Sequence, residues 1–299
     1  MVRAVFREEP CKAALSRVPA GGFGFRWSLN PYMGCVHRCT FCYVRGFEQR
    51  ADRPSDDRYG RSIRVKTNIA EVLSLETGRP GWKREQVAIG TATDPYQPAE
   101  GRYRLTRRCL EVLSRRHNPF SAITRGPLIV RDIDVLQAAS ARAEVMVSVS
   151  IPTLDDTVWR VTEPGTAPPL QRLRALRALT TAGIRAGVSV APVLPGLSDR
   201  SDQLGAVVAA ARDAGAAHLW CNVLNLKPGT REHFMEALAR DWPALVPRYE
   251  RLYSRGDYCE SGEAERINAR FEEMARLHEM EAGRIAELAA RPGQLKLFG

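Results

Sequence analysis

The sequence predicts an α/β protein whose strands form a parallel sheet, either open or curled into a barrel. Between residues 26 and 228, short apolar runs alternate with helical patterns in about six strand–helix repeats. Repeated βα units of this kind favour a parallel sheet. Polar residues also follow several of the strands, at positions where the carboxyl ends of a parallel sheet meet.

Each strand of the sheet is predicted from a short run of mainly apolar residues. The six runs are Arg26–Asn30, Val87–Thr91, Phe120–Thr124, Val145–Ile151, Arg185–Val193 and Ala217–Leu224. Helical patterns precede or separate the later runs, at Ile69–Leu75, Leu105–Arg116, Ile129–Ala141, Leu170–Ala182 and Asp202–Ala214. The stretch from Arg45 to Lys66 is crowded with Arg, Asp and Pro, so we expect an ordered or partly mobile excursion there.

The segments outside the repeats divide the rest of the chain. Residues 1–25 include a glycine-rich stretch and are predicted to form an irregular lead-in. Residues 229–291 are predicted to form a helical C-terminal extension with helices at Arg231–Ala239, Pro243–Leu252 and Glu263–Ala290. Residues 292–299 form an apolar tail that begins with a Pro-Gly break.

Composition places the protein in the cytoplasm and suggests a polyanionic partner. No apolar run is long enough to cross a bilayer, and the charged N-terminus does not suit a signal peptide. Four of the seven cysteines, Cys11, Cys109, Cys221 and Cys259, are scattered and show no disulfide framework. The net charge of +10 and the pI near 9.6 indicate a nucleic-acid partner, although an arginine-rich composition also arises from a GC-rich genome.

Three cysteines stand close together in a loop that follows the first predicted strand. Cys35, Cys39 and Cys42 have the spacing C-x3-C-x2-C, with Phe41 directly before the last cysteine. A closed structural zinc site and a typical 4Fe-4S cluster each take four protein ligands. Three thiolates therefore indicate either a cluster with one iron open to another ligand, or a zinc site completed by His37 or by a distant cysteine.

This loop resembles the signature of the radical S-adenosylmethionine (SAM) superfamily, C-x3-C-x-aromatic-C after the first strand of a partial (β/α)6 TIM-type barrel. The resemblance implies that residues 26–228 form the radical SAM core domain. It also implies that the three cysteines hold a 4Fe-4S cluster whose fourth iron binds S-adenosylmethionine. Reductive cleavage of that ligand would then give a 5'-deoxyadenosyl radical that abstracts hydrogen from a substrate. An electron donor such as flavodoxin or ferredoxin is implied as well.

A narrower resemblance, to the spore photoproduct lyase-related branch, rests on several segments of the chain. They are NPYMGCVHRCTFCYVR, GTATDPYQPAEGRYRLTR, ITRGPLIVRDIDVL, TEPGTAPPLQRLRALRALTTAG and VAPVLPGLSD. The resemblance places Phe41 near the adenine, Thr93 and Asp94 at the methionyl amino group, Ser148 and Ser150 at the ribose, and Glu163 and Arg172 near the charged end of the ligand. Alternatively, the serines are simply small strand residues and Glu163 begins a helix.

The resemblance to the lyases themselves is incomplete at one position. In those enzymes a cysteine near the end of the second strand returns a hydrogen atom to the product. Here the corresponding residues Thr91 to Asp94 include no cysteine. We therefore expect an enzyme related to the lyases that does not carry out their reaction.

Two further segments suggest nucleic-acid transactions. Arg102 to Arg116 holds six arginines, which form either a phosphate-binding surface or a solvated helix face. The tail Gln294-Leu295-Lys296-Leu297-Phe298 resembles the peptide with which bacterial DNA-repair proteins dock on the sliding clamp, although it could instead fold back onto the barrel.

The functional expectation is a radical SAM enzyme that acts on nucleic acid, in DNA repair or modification. A radical SAM enzyme acting on a peptide or small molecule is one alternative. The other is a non-catalytic iron–sulfur or zinc protein associated with nucleic acid.

Overall fold

A mainly parallel sheet of eight strands lies at the centre of the fold. The computed structural model describes residues 4–18 and 25–284. The strands are β1 (Val5–Glu9), β2 (Leu15–Arg17), β3 (Trp27–Leu29), β4 (Tyr32–Met33), β5 (Ser62–Lys66), β6 (Val87–Ile89), β7 (Phe120–Thr124), β8 (Val145–Ser150), β9 (Ala186–Val193), β10 (Leu219–Val223) and β11 (Ala282–Arg284).

The helices follow the strands in the alternation that the sequence predicts. They are α1 (Val44–Arg50), α2 (Ile69–Thr77), α3 (Pro98–Tyr103), α4 (Leu105–Arg115), α5 (Ile133–Ser140), α6 (Asp156–Thr162), α7 (Pro169–Thr181), α8 (Ser201–Asp213), α9 (Thr230–Asp241), α10 (Val246–Leu252) and α11 (Ser261–Leu277). Short 3₁₀ turns at Pro127–Asp132 and Pro243–Leu245 precede α5 and α10. Helices α3 and α6 were not predicted, because both are too short for their periodicity to stand out.

The six predicted strands are confirmed and lie side by side in one sheet. Its order is β11-β10-β9-β8-β7-β6-β3-β2, in which only β2 runs antiparallel to its neighbour. Because β2 and β11 stand at opposite ends of this order, hydrogen bonds among the described strands do not close the sheet into a complete barrel.

Strand β8 shows how the sheet separates a helix-facing core from a second face. Val145, Val147 and Val149 belong to the main hydrophobic core together with residues of α5 and α7. Met146, Ser148 and Ser150 alternate with them and therefore point to the opposite face. All six residues of β8 are buried, as expected where both faces of a parallel sheet are covered. Two predicted site residues thus lie on the face away from the helices.

The expectation of an irregular lead-in is wrong, because residues 1–25 contain β1 and β2. The predicted excursion from Arg45 to Lys66 contains ordered elements that were not predicted, most of α1 and all of β5. Strand β5 pairs in parallel with β1 and antiparallel with β4, which forms a separate three-stranded sheet. The alternation of buried Ile63 and Val65 with arginine is a strand signal that the many charges of this stretch obscure.

The last predicted helix is wrong from Glu279 to Arg284, and its remaining residues 285–290 lie outside the described residues. Helix α11 ends at Leu277, Glu279 adopts a left-handed φ of 57°, and the N–H of Met280 donates to the carbonyl of Ala275. The chain then continues into β11, which extends the sheet beside β10. The sequence pattern remains helical across this point because its charged residues suit a helix as well as an exposed loop.

A second hydrophobic cluster connects the C-terminal extension to the cysteine loop. It contains Cys39 and Phe41 from the loop and Phe234, Tyr249 and Tyr253 from the extension, together with residues that follow β9 and β10. Thr230 also donates its hydroxyl to the carbonyl of Cys42, at 3.0 Å. The helical extension therefore packs against the loop as well as against the sheet.

Among the described helices, none combines the length and the hydropathy needed to cross a bilayer. The predicted tail at residues 292–299 lies outside the described residues.

Candidate active site

The cysteine loop lies between β4 and α1 at the carboxyl edge of the sheet, where the sequence places it. Gly34 directly before Cys35 has a φ of 84°, and a Cβ at this position would lie 3.0 Å from the carbonyl oxygen of Ser62. Both the left-handed backbone and the close approach favour glycine here. A turn in which the N–H of Cys42 donates to the carbonyl of Cys39 brings the last two cysteines together.

The three thiols of the loop form no disulfide, and neighbouring thiolates affect the pKa of two of them. Cys35 and Cys39 are buried, and Cys42 is partly buried. Burial raises the pKa of the Cys39 and Cys42 thiols, and the neighbouring thiolates raise both values further. Arg125 and the hydroxyl of Tyr59 oppose this shift at Cys39 and Cys42, respectively. A bound metal deprotonates such thiols outright, so the site suits a metal centre that supplies positive charge.

The three loop thiols are soft donors, which both zinc and iron–sulfur clusters take. In the parts of the chain that the structure describes, no group of three or more His, Cys, Asp or Glu side chains is arranged to hold one metal ion. Zinc draws all its thiolates to about 2.3 Å from one centre. A cluster binds each thiolate to a different iron, and therefore does not require the thiols to converge on one point.

His37, the alternative zinc ligand, is occupied by a contact within the protein. Its Nδ1 lies 3.3 Å from Oδ2 of Asp94, and both side chains are buried. Burial lowers the pKa of His37, but the Cys35 thiolate and the Asp94 carboxylate raise it to about 10. In the metal-free protein His37 is thus paired with Asp94 through Nδ1.

Thr93 and Asp94, which follow β6, lie directly against the cysteine loop. Thr93 donates its hydroxyl to the carbonyl of Gly34 at 2.7 Å. The Asp94 carboxylate accepts hydrogen bonds from the hydroxyl of Thr124 at 2.6 Å and the N–H of Arg125 at 2.7 Å. Burial raises the pKa of Asp94, but His37 and these donors lower it to about 2. The predicted contact of Thr93 and Asp94 with a methionyl amino group stays a prediction.

Glu163 and Arg172 form a buried ion pair together with Arg125. Both carboxylate oxygens of Glu163 lie 3.1 Å from Nη1 of Arg172, and Oε1 accepts a hydrogen bond from Nε of Arg125 at 2.6 Å. Glu163 and Arg172 are both 0% exposed. Glu163 follows the end of α6, so it does not begin a helix. The pair holds the loop after β8 against α7.

Phe41 joins this ion-pair group to the cysteine loop. The guanidinium of Arg125 lies 5.6 Å from the centre of the Phe41 ring, within the range of a cation–π contact. Arg125 also donates from Nη2 to the carbonyl of Ala191 at 3.0 Å. The structure thus brings Phe41, Glu163 and Arg172 together through a residue that the sequence analysis did not identify.

The two serines of β8 have different partners. Ser150 donates to the carbonyl of Ala191 at 3.3 Å, so it shares an acceptor with Arg125. Ser148 lies 3.1 Å from Nε2 of His218 and accepts from the indole N–H of Trp220 at 3.5 Å. Ser150 therefore belongs to the group around Arg125, whereas Ser148 contacts Trp220 of β10, two strands away, and His218 directly before that strand.

The site contains four more residues that sequence reasoning missed. Gln97 accepts from the N–H of Val36 and donates to the carbonyl of Gly34, each at 3.1 Å. Arg125 directly follows β7, so the rule that identified Thr93 and Asp94 at a strand end could also have identified it. Tyr59 and Arg45 beside Cys42 have no sequence signal of their own, because both act through contacts made by folding.

The basic stretch of α3 and α4 is largely occupied by contacts within the protein. Arg107 pairs with Glu111, Asp132 and Asp134. Arg102 and Arg108 pair with glutamates, and Arg116 donates to a backbone carbonyl. These pairings favour a solvated helix face over a free phosphate-binding surface.

Comparison with known proteins agrees with the geometry of the site. The family model described as the Radical SAM superfamily matches residues 29–204. An uncharacterized protein of Mycobacterium tuberculosis is 40% identical over 266 residues, which cover 89% of this chain and 78% of that protein. An uncharacterized protein of Acidianus two-tailed virus is 30% identical over 75% of this chain and 76% of its own length.

Among solved structures, a spore photoproduct lyase variant with bound AdoMet and dinucleoside spore photoproduct is similar in fold. Its TM-score is 0.71 at 13% identity, and the match covers 94% of this chain and 81% of the lyase chain. The prediction of a partial barrel with a helical C-terminal extension is confirmed by this similarity together with the sheet order.

Proposed function

Because the chain belongs to the radical SAM superfamily and is a radical SAM enzyme, we propose that Cys35, Cys39 and Cys42 hold a 4Fe-4S cluster whose open iron binds S-adenosylmethionine. The observation that carries the proposal is one short loop whose three cysteines form no disulfide, with Cys35 and Cys39 buried and Cys42 partly buried. When bound, the cluster and its ligand supply one-electron reductive cleavage to a 5'-deoxyadenosyl radical. A low-potential one-electron carrier, of the flavodoxin or ferredoxin class, provides the electron.

The residues around the loop support this role in separate ways. Thr93 and Gln97 hold the carbonyl of Gly34, so the backbone before Cys35 is fixed before any cofactor binds. Phe41 offers an apolar surface beside the cysteines for the adenine. Arg125, with 20% of its side chain exposed, is the cation of the ion-pair group best placed to meet the carboxylate of the ligand, because Arg172 is fully buried. Ser150 lies in the same group and is available to a ribose hydroxyl.

We further propose a nucleic-acid substrate, in a DNA repair or modification reaction. The net charge of +10 favours a polyanion, and the similar fold in the lyase accommodates a dinucleoside spore photoproduct. The lyase reaction itself is not proposed, because Thr91 to Asp94 after β6 provide no thiol. No disulfide joins any of the seven cysteines, all of which lie in the described residues. This suits a reducing compartment, and we propose the cytoplasm.

The test is anaerobic reconstitution with iron and sulfide, followed by reduction in the presence of S-adenosylmethionine. We expect about four irons per chain and formation of 5'-deoxyadenosine. Cys35→Ala, Cys39→Ala and Cys42→Ala are each expected to abolish both, while the matched variant Cys11→Ala, outside the loop, retains them. Stoichiometric zinc in a colourless protein would contradict the proposal.

The substrate class is tested in the same assay by adding a partner. Single-stranded DNA, duplex DNA, RNA and a peptide mixture are compared for stimulation of 5'-deoxyadenosine formation at fixed enzyme. Stimulation by nucleic acid alone is the expected result. Stimulation by peptide alone, or by no polymer, would move the substrate to the peptide or small-molecule class.

We also propose that the tail Gln294-Leu295-Lys296-Leu297-Phe298 binds the sliding clamp. Leu295, Leu297 and Phe298 are the apolar anchors that such a short peptide offers to a groove. Calorimetry with a purified bacterial clamp should detect binding that Phe298→Ala removes and Lys296→Ala retains. Equal affinity for the two variants would contradict this role.

A further inference from the structure

A fully buried arginine follows the last cysteine of the loop. Arg45 lies three residues after Cys42, in the first turn of α1, and is 0% exposed. Its Nη1 donates to the carbonyls of Ser55 and Asp56, at 2.5 and 2.8 Å. Its Nε and Nη2 are buried and have no hydrogen-bond partner among the described residues. Buried polar groups are normally paired, so two unpartnered N–H groups on a cation require an explanation.

No carboxylate in the described parts of the chain forms an ion pair with Arg45. Burial lowers the pKa of Arg45 and Arg38 adds to this effect, whereas the thiolates of Cys42 and Cys39 oppose it. A buried cation needs a counter-charge nearby. The loop thiolates are therefore the counter-charge that this part of the structure offers.

Tyr59 connects the arginine to a cysteine. Its side chain is 3% exposed, its ring centre lies 4.6 Å from Cζ of Arg45, and its hydroxyl lies 3.4 Å from Sγ of Cys42. A thiolate has no proton, so in the metal-bound state the tyrosine hydroxyl is the donor. Gly60 next to it has a φ of 75°, and a Cβ there would lie 2.3 Å from the carbonyl of Cys35. The segment that carries Tyr59 is thus packed directly on the cysteine loop.

We infer that Arg45 and Tyr59 form a charge-compensating pair that raises the reduction potential of the iron–sulfur cluster held by the three cysteines. The inference rests on the proposed function. Reduction adds one negative charge to the cluster, and a nearby cation stabilises the reduced form more than the oxidised form. Hydrogen bonds to a ligating sulfur act in the same direction, since they too stabilise the more electron-rich state.

Arg45 also ties α1 to the carbonyls of Ser55 and Asp56, so its variants must separate charge from structure. Arg45→Lys keeps the positive charge but loses the planar fork that binds two carbonyls. Arg45→Gln removes the charge and keeps a polar group of similar reach. A purely structural role predicts that both variants behave alike. A role in charge compensation predicts that only the glutamine variant changes the potential.

The experiment is a redox titration of the reconstituted full chain, followed by the cluster absorbance and by the electron paramagnetic resonance of the reduced state. Iron and sulfide are counted first in every variant. At the midpoint potential of the wild-type protein, Arg45→Gln is expected to lower the ratio of reduced to oxidised cluster about tenfold. This corresponds to a midpoint potential lower by about 59 mV for one electron. Tyr59→Phe should shift it in the same direction by less, and Arg45→Lys should remain near the unchanged value.

The matched control is Arg53→Gln. Arg53 lies in the same segment but pairs with Glu48 at 2.6 Å, so its loss should leave the potential unchanged. If Arg45→Gln has normal iron content and an unchanged midpoint potential, this inference is overturned while the proposed function stands. Equal shifts of the midpoint potential in Arg45→Lys and Arg45→Gln would have the same consequence. If Arg45→Gln does not take up iron, Tyr59→Phe decides in its place. Failure of the unchanged chain to bind iron and sulfide would overturn the proposed function and the inference with it.

Discussion

Replacing Glu163 by glutamine tests whether the buried ion-pair group holds the strand ends together. The carboxylate is 0% exposed and contacts Arg172 at 3.1 Å and Arg125 at 2.6 Å. Glu163→Gln keeps the volume but leaves the buried guanidinium of Arg172 and the partly buried guanidinium of Arg125 without their shared counter-charge. Breaking a buried pair by removing one partner costs about 3–5 kcal/mol. At about 2–4 °C per kcal/mol, the expected fall in Tm is roughly 6–20 °C.

The assay is thermal unfolding of the metal-free chain by calorimetry, with urea unfolding as a second measurement. Arg160→Gln is the control, since it removes the ion pair between Arg160 and Asp156, whose side chains are both 69% exposed. Exposed pairs of this kind contribute about 0–1 kcal/mol. If Glu163→Gln lowers the free energy of unfolding by about 1 kcal/mol or less, as the control does, the reasoning is refuted. The ion pair would then not be a desolvated pair in which each charge needs the other.

Three further predictions concern the support of the cysteine loop. Asp94 has a pKa of about 2 in the folded protein, below the value near 4 of an unfolded aspartate. Its carboxylate therefore stabilises the fold above about pH 4, and this contribution is lost as the pH falls through about 2. The free energy of unfolding in urea should therefore vary less between pH 5 and 2 in Asp94→Asn. Gly60→Ala should lower Tm and iron uptake far more than Gly183→Ala. The two glycines have nearly the same φ, 75° and 76°, but only at Gly60 would a Cβ lie against a backbone oxygen. Equal effects of the two substitutions in melting curves would contradict this. Gln97→Ala should destabilise the chain by about 1–3 kcal/mol, measured by urea unfolding, because the N–H of Val36 loses its partner and the carbonyl of Gly34 keeps only Thr93. An unchanged midpoint would count against it.

The strand predictions succeeded where the signal is local. Phe120–Thr124 forms β7 with the predicted bounds, and Val145–Ile151 contains β8 with one residue to spare. Strands buried on both faces appear as short apolar runs, and such runs can be recognised from neighbouring residues alone. The failure to predict β5 also has a local cause. The strand signal of Ile63 and Val65 is short and is surrounded by charged residues. The end of α11 was missed because the charged pattern continues beyond it.

Within the site, local and distant residues differ in the same way. The spacing of Cys35, Cys39 and Cys42 is a property of eight consecutive residues, and the loop they form was predicted correctly. The polar residues Thr93 and Asp94 were found because they directly follow a strand. Arg125 and Glu163 are 38 residues apart, and no periodicity links them.

The sequence alone therefore determined the class of the enzyme and pointed to the three cysteines proposed as cluster ligands, because their spacing is a property of one short loop. Only the tertiary structure decided how that loop is supported and charged. The contact of Arg45 with Tyr59, the contact of Tyr59 with Cys42, and the bridging of Arg125 and Arg172 by Glu163 depend on the packing of separate elements. Burial decides which charges must be paired, and burial is a property of the folded chain rather than of any segment of its sequence.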